Sequence, residues 1–149
     1  MHQEIGSQIH FAAQSDSLHW LRLCRFYYED DIHSLSNSKQ SALHIACRCG
    51  NSECVKLLLQ WGLDINARDV DGNTPINLAI ISLMKKEEEE RDEYDWKRYV
   101  DVIEELLKRG SRVDEVGWIV DVMDNTLNGI RMNSLKAVQG VIFSRIMNL

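Results

Sequence analysis

Ser41-Ala42-Leu43-His44-Ile45-Ala46 returns 33 residues later as Thr74-Pro75-Ile76-Asn77-Leu78-Ala79, with a hydroxyl residue, two large apolar residues and an alanine kept in register. A Leu-Leu-x-x-Gly block follows the first copy at Leu58-Leu59-Gln60-Trp61-Gly62. A period of this length marks a unit too small to bury its own apolar face, so successive copies must stack. The chain is therefore expected to be all-α, a pile of helical hairpins. Its function is expected on an exposed surface rather than in an enclosed reaction centre.

Ser41 suits the N-cap of a short helix whose inward side is Leu43, Ala46 and Cys47. Gly50-Asn51 breaks that helix, and Asn51 or Ser52 caps a second one in which Cys54, Val55, Leu57, Leu58 and Trp61 recur at helical spacing. Gly62 follows the last apolar residues, where helices commonly close. Neither helix is long enough to be stable in water alone, so each depends on its neighbours.

The unit resembles the ankyrin repeat. Asp69-Val70-Asp71-Gly72-Asn73-Thr74-Pro75-Ile76-Asn77-Leu78-Ala79 is similar to the family's opening, Asp-x-x-Gly-x-Thr-Pro-Leu-His-x-Ala. Val55-Lys56-Leu57-Leu58-Leu59-Gln60-Trp61-Gly62-Leu63-Asp64-Ile65-Asn66 is similar to its close, Val-x-x-Leu-Leu-x-x-Gly-Ala-Asp-Val-Asn. The resemblance implies a single ankyrin-repeat domain over 1–149, with units near 6–36, 37–69 and 70–114 and capping helices over 115–149. The first unit is worn. Ile9-His10-Phe11-Ala12-Ala13 stands for the inner helix, Leu18, Leu21, Leu23 and Cys24 continue a second, and Asp31-Ile32-His33 precedes Asp64-Ile65-Asn66 by one period. Lys39 replaces the glycine expected opposite Gly72, which predicts a hairpin tip of different shape or one under strain.

After Ala79 the spacing lengthens. The next Leu-Leu-x-x-Gly is Leu106-Leu107-Lys108-Arg109-Gly110, and Gly62 to Gly110 spans 48 residues, 15 more than the period. The excess falls near 82–97 and predicts an inner helix extended by one to three turns, with a disordered acidic loop as the other solution. Lys85 to Arg91 favours the helix, because it holds good helix formers and a Glu87–Arg91 pair at i,i+4. Trp96, Tyr99, Val100, Ile103, Leu106 and Leu107 form the apolar stripe of the outer helix. Beyond Asp114 the apolar residues to Leu149 read either as a closing unit or as the point where a longer stack was cut.

Acidic residues number 23 against 17 basic, and seven acidic residues with one arginine between Glu87 and Asp95 carry the whole net charge of -6. Such a chain has no broad positive field for a phosphate backbone, which argues against direct nucleic-acid binding. No apolar run is long enough for a membrane span and the start lacks a secretory pattern, so a cytoplasmic location, with a nuclear share, is expected. A viral or intracellular bacterial source would place it in the host-cell cytoplasm.

Cys24, Cys47, Cys49 and Cys54 have no reason to bridge in that compartment, and the spacing of the last three is not a usual zinc pattern. Neither a metal nor any other cofactor is expected. Cys24 and Cys54 read as small buried hydrophobes, and Cys49 as more exposed. His10 and His44 occupy the slot where the resemblance implies a ring bridging the helix start and adjacent loops. Asp64, Asn66, Asp69 and Asp71 suit turn geometry. No nucleophile–base pair or phosphate loop is evident, so no enzymatic activity is expected.

The resemblance implies recognition of another protein through the concave face of inner helices and hairpin tips, as an adaptor or inhibitor. On that face lie Asn37, Ser38, Gln40, Arg48 and Cys49 in one unit, and Val70, Asp71, Asn73, Ile81 and Ser82 in the next. Arg48 and Ile81 are the strongest candidates, one a charged fork on an apolar stem and the other an apolar centre. In the insertion, Glu88 and its acidic neighbours can steer a basic partner, with Tyr94 an aromatic anchor among them. Leu58 followed by Asp64-Ile65-Asn66 resembles the ankyrin pattern hydroxylated at asparagine, which implies Asn66 as a modified residue. The alternative function is a structural or assembly module that packs or self-associates through its apolar C-terminal helix. A monomer is favoured.

Overall fold

The computed structural model describes residues 8–88 and 93–112, with their side chains except at 30, 84–88 and 93–96. The capping helices expected over 115–149 lie outside the described residues. Within them six α-helices follow one another and no strand occurs. They are α1 (Gln8–Gln14), α2 (Leu18–Tyr27), α3 (Ala42–Cys49), α4 (Ser52–Gln60), α5 (Pro75–Glu88) and α6 (Glu93–Lys108), with a short 3-10 turn at Glu29–Asp31. α1 packs on α3 and α3 on α5, which makes the inner row. α2 packs on α4 and α4 on α6, which makes the outer row.

The two copies of the opening motif are structurally equivalent. Ser41 holds an extended backbone and its Oγ accepts from His44 N at 3.4 Å. Thr74 Oγ1 accepts from Asn77 N at the same distance, and Pro75 opens α5 where its missing N–H costs no helical bond. In α3 the exchange is reciprocal, since Ser41 N donates back to His44 Nδ1 at 3.1 Å. That leaves His44 Nε2 to donate, and it meets Asn73 O of the next hairpin tip at 3.1 Å. His10 Nε2 does the same to Gln40 O at 2.8 Å. Each histidine thus ties its own inner helix to the tip one unit further on.

The tips themselves repeat. Ser36 N donates to Gln40 O and Lys39 N to Ser36 O, and Asp69 N with Gly72 N make the same pair of bonds to Asn73 O and Asp69 O. Gly72 has φ +80° and Lys39 has φ +60°, so Lys39 keeps the left-handed shape of the glycine it replaces and carries the strain. Val70 N donates to Ser38 O at 2.9 Å, joining one tip to the next.

Between α3 and α4 the chain turns at Gly50, whose φ is +72° and where an added Cβ would stand 3.1 Å from the Tyr99 ring. Asn51 then occupies the N-cap of α4, but its side chain makes no capping bond. It reaches backward instead, Nδ2 donating to Ala13 O at 2.7 Å. Arg98 of α6 donates to Asn51 Oδ1 at 3.0 Å and to Cys49 O at 2.8 Å. One buried asparagine therefore joins all three units.

The third unit absorbs its extra length in both helices. α5 has 14 residues against eight in α3, and α6 has 16 against nine in α4. In sequence, four residues separate α5 from α6, against two between α3 and α4. These differences of six, seven and two make up the 15-residue excess. The inner-helix extension is a little under two turns, and the outer helix is extended as well. Both Leu-Leu-x-x-Gly blocks close alike, Leu63 N donating to Leu58 O and Ser111 N to Leu106 O.

The core runs unbroken along the stack through Ile9, Leu21, Leu43, Leu58, Ile76, Ile80, Leu83, Ile103 and Leu106. Each such side chain contributes roughly 1.5–3 kcal/mol on burial, and short helices are stable only with this support. Of the apolar residues read at helical spacing, Leu18, Leu57 and Trp61 are only half-buried and Leu23 is exposed. Leu23 faces solvent on α2, because its helical phase is opposite to that of Leu21 and Cys24. Trp61 is the half-buried C-cap of α4, with the Arg25 guanidinium 5.0 Å from its ring centre. No helix of the described residues is long and apolar enough to cross a membrane.

Candidate protein-binding groove

Counting four residues on from each histidine-slot residue, His10, His44 and Asn77, reaches Gln14, Arg48 and Ile81. Because α1, α3 and α5 pack in one row, these are equivalent positions on one side of successive inner helices. Gln14 and Arg48 are exposed and Ile81 is half-buried. Between α1 and α3 the face deepens into a groove of about 110 Å³ lined by His10, Phe11, Gln14, Ser36, Gln40, Ile45 and Arg48.

Gln40 organises the groove. Its backbone carbonyl accepts from His10, its Nε2 donates to Asp69 Oδ2 at 3.0 Å, and its Oε1 accepts from Arg48 Nη1 at 3.4 Å. Asp69 is buried at the base of the neighbouring tip, and its Oδ1 accepts from Asp71 N at 3.0 Å and Asn73 N at 2.9 Å. Burial lowers the pKa of His10 below the ordinary histidine value, with partial opposition from its bond to Gln40. Arg48 is the permanently charged residue of the lining.

The other candidates are distributed as follows. Asn37, Val70 and Asp71 are exposed on the hairpin tips, Val70 at 62%. Asn73 is half-buried and its backbone serves His44 and Asp69, which gives it a structural task at the edge of the groove. Asn66 is not among the groove residues; its Oδ1 accepts from Arg112 N at 3.1 Å at the junction of the second and third units. Glu88 and Tyr94 sit on α5 and α6, but their side chains lie outside the described residues. Cys49 is half-buried and its carbonyl receives Arg98.

Sequence reasoning missed Phe11, Gln14 and Ser36 as groove residues, and placed His10 and Ile45 in the repeat motif rather than at the groove. Phe11 is 40% exposed, though a phenylalanine inside an apolar helix motif reads as core. Counting from the histidine slot finds Gln14 at once. Also unexpected is a cluster of exposed aromatics at the end of α2, with Phe26 79%, Tyr27 68% and Tyr28 50% exposed.

The chemistry available is recognition. Burial drives the Cys47 thiol well above its ordinary pKa, and burial with the Asp16 carboxylate raises Cys54 to about 12, so neither is a nucleophile at neutral pH. Among the described residues no group of three or more His, Cys, Asp or Glu is placed to hold a metal ion.

Comparison with known proteins agrees with this architecture. The family model of ankyrin repeats (3 copies) matches residues 9–117, well over half of the chain. The chain belongs to the ankyrin-repeat family. It is 36% identical over 75 residues to human ankyrin repeat domain-containing protein 53, covering 48% of this chain and 14% of that protein. It is 50% identical over 50 residues to mouse protein phosphatase 1 regulatory subunit 27, covering 34% of this chain and 30% of that protein. It is 45% identical over 47 residues to the E3 ubiquitin-protein ligase HACE1 of Xenopus tropicalis, covering 32% of this chain and 5% of the ligase. The chain thus spans less than a third of the length of each of these relatives. A match to so small a part of the ligase carries no enzymatic meaning for this chain.

Proposed function

We propose that this domain is a non-enzymatic binding module, an adaptor or inhibitor, that grips a partner protein on its concave face. The observation that carries the reading is the line Gln14–Arg48–Ile81 beside a preformed groove, on a scaffold in which His10, His44, Asn51 and Asp69 hold the repeats together. Stacked repeats of this kind build extended concave surfaces of the sort used for binding. The similarity to a phosphatase regulatory subunit is consistent with a regulatory task. Asn37, Val70 and Asp71 at the tips extend the contact, and Glu88 and Tyr94 of the insertion add to it from the far end. The proposed setting is the cytoplasm, in a host cell if the source is a virus or an intracellular bacterium.

Proteins captured from cell extract by the wild-type chain are to be compared with those captured by Arg48→Ala and Ile81→Ala, by quantitative mass spectrometry. A binder retained by the wild type and depleted with both variants supports the concave face. If every binder is retained equally by the variants, the groove is not the recognition surface.

A further inference from the structure

Among the described residues no carboxylate neutralises the cation at this groove: Arg48 makes one hydrogen bond there, to the neutral amide oxygen of Gln40, and no ion pair. The carboxylate closest along this network, that of Asp69, is 6% exposed and taken up by Asp71 N, Asn73 N and Gln40 Nε2. Asp69 thus fixes Gln40, Gln40 positions the guanidinium, and the charge of Arg48 stays open to the groove. Phe11 and Ile45 supply apolar surface within the same depression, and Gln14 and Ser36 supply neutral polar groups.

We propose that this groove receives an aspartate or glutamate side chain of a partner polypeptide, with an apolar residue beside it packing on Phe11 and Ile45. The inference rests on the concave-face reading above and adds the chemistry of the segment recognised. Size favours a side chain over a small molecule. About 110 Å³ is far below the roughly 300–1,000 Å³ of small-molecule pockets. Charge sign favours a carboxylate, since no acidic residue is among the described residues that line the groove and a guanidinium fork matches a carboxylate in geometry. A basic partner drawn by the acidic insertion meets the wrong sign at Arg48.

The test selects short random peptides, displayed on phage, on the full chain, and measures the affinity of recovered peptides by fluorescence anisotropy. Expected are peptides enriched in Asp or Glu next to an apolar residue, with binding weakened about tenfold or more by Arg48→Gln, the scale of a charge-assisted hydrogen bond. Replacing the peptide's acidic residue by lysine should abolish binding to the wild type and restore it to Arg48→Glu. Circular dichroism is to verify that the variants, altered at an exposed position, remain folded. Peptides that lose affinity with Phe11→Ala or Ile81→Ala but ignore Arg48→Gln would overturn the acidic specificity and leave the concave face standing. Peptides indifferent to all these variants would overturn both. Recovery of no peptide, or of peptides without acidic enrichment, overturns the inference.

Discussion

Asn51 and Arg98 are 47 residues apart and share a hydrogen bond of 3.0 Å, Arg98 Nη2 donating to Asn51 Oδ1. The same guanidinium donates to Cys49 O and Gly50 O, the carbonyls that the end of α3 leaves without helical partners. Its positive charge also sits at the negative end of that helix. Through Asn51 Nδ2 the network continues to Ala13 O in the first unit. The irregular third unit is thereby locked to the first two.

Asn51→Ala is therefore expected to destabilise the chain by about 1–3 kcal/mol, since it removes the partner of the Ala13 carbonyl in the first unit and one of three acceptors of Arg98 in the third. Urea unfolding measures this. In a double-mutant cycle, Asn51→Ala with Arg98→Ala should be non-additive by about 0.5–3 kcal/mol. Additive effects would mean that the two residues are not coupled.

Lys39 and Gly72 hold equivalent left-handed positions. A left-handed backbone costs a residue with a Cβ roughly 1–2 kcal/mol, partly offset in the variant by glycine's greater freedom when unfolded. Lys39→Gly is expected to raise stability by about 0.5–1 kcal/mol, and Gly72→Ala to lower it by about as much. A denaturation midpoint unchanged by Lys39→Gly would show that the tip carries no strain.

Burial holds the pKa values of His44 and His10 below the ordinary 6.5, against opposing hydrogen bonds to Asn73 and Gln40. The unfolded chain then binds these protons more readily than the folded one. Their stabilising contribution is complete above pH 6.5 and is lost as pH falls through and below that value. The slope is up to about 1.4 kcal/mol per pH unit for each histidine. Unfolding midpoints between about pH 7.5 and 5 should fall with acidification, and less steeply in His44→Gln. An equal slope in that variant would exclude His44 as a source.

The thiols give an independent probe of packing. Cys24, Cys47 and Cys54 are buried, and Cys54 Sγ donates to Asp16 Oδ1 at 3.4 Å with a pKa of about 12. A disulfide reagent at neutral pH is expected to modify the half-buried Cys49 first and the other three only at the rate of unfolding. Prompt reaction of all four would mean that the stack opens locally.

The stacking of hairpins was legible in the 33-residue period, and the caps at Ser41 and Thr74 in the hydroxyl beginning each inner helix, because these are local patterns. The tie from histidine to the next tip followed from the resemblance. The insertion was legible as an excess of length, but its division between α5 and α6 was not, since good helix formers continue through both. The sequence offers Asn51 or Ser52 as the cap of α4, and Asn51 takes the position without the side-chain bond. Only the approach of Ala13 and Arg98 gives its amide better partners.

Sequence by itself determined the repeating unit, since period, capping residues and apolar spacing act over a few turns of one chain segment. Tertiary structure alone decided which polar residues became internal ties and which stayed open. Gln40 and Asp69 acquired partners from adjacent units, while Arg48 received only a neutral amide. The physical reason is that the Gln40–Asp69 bond joins groups 29 residues apart, whose meeting depends on how the repeats are stacked.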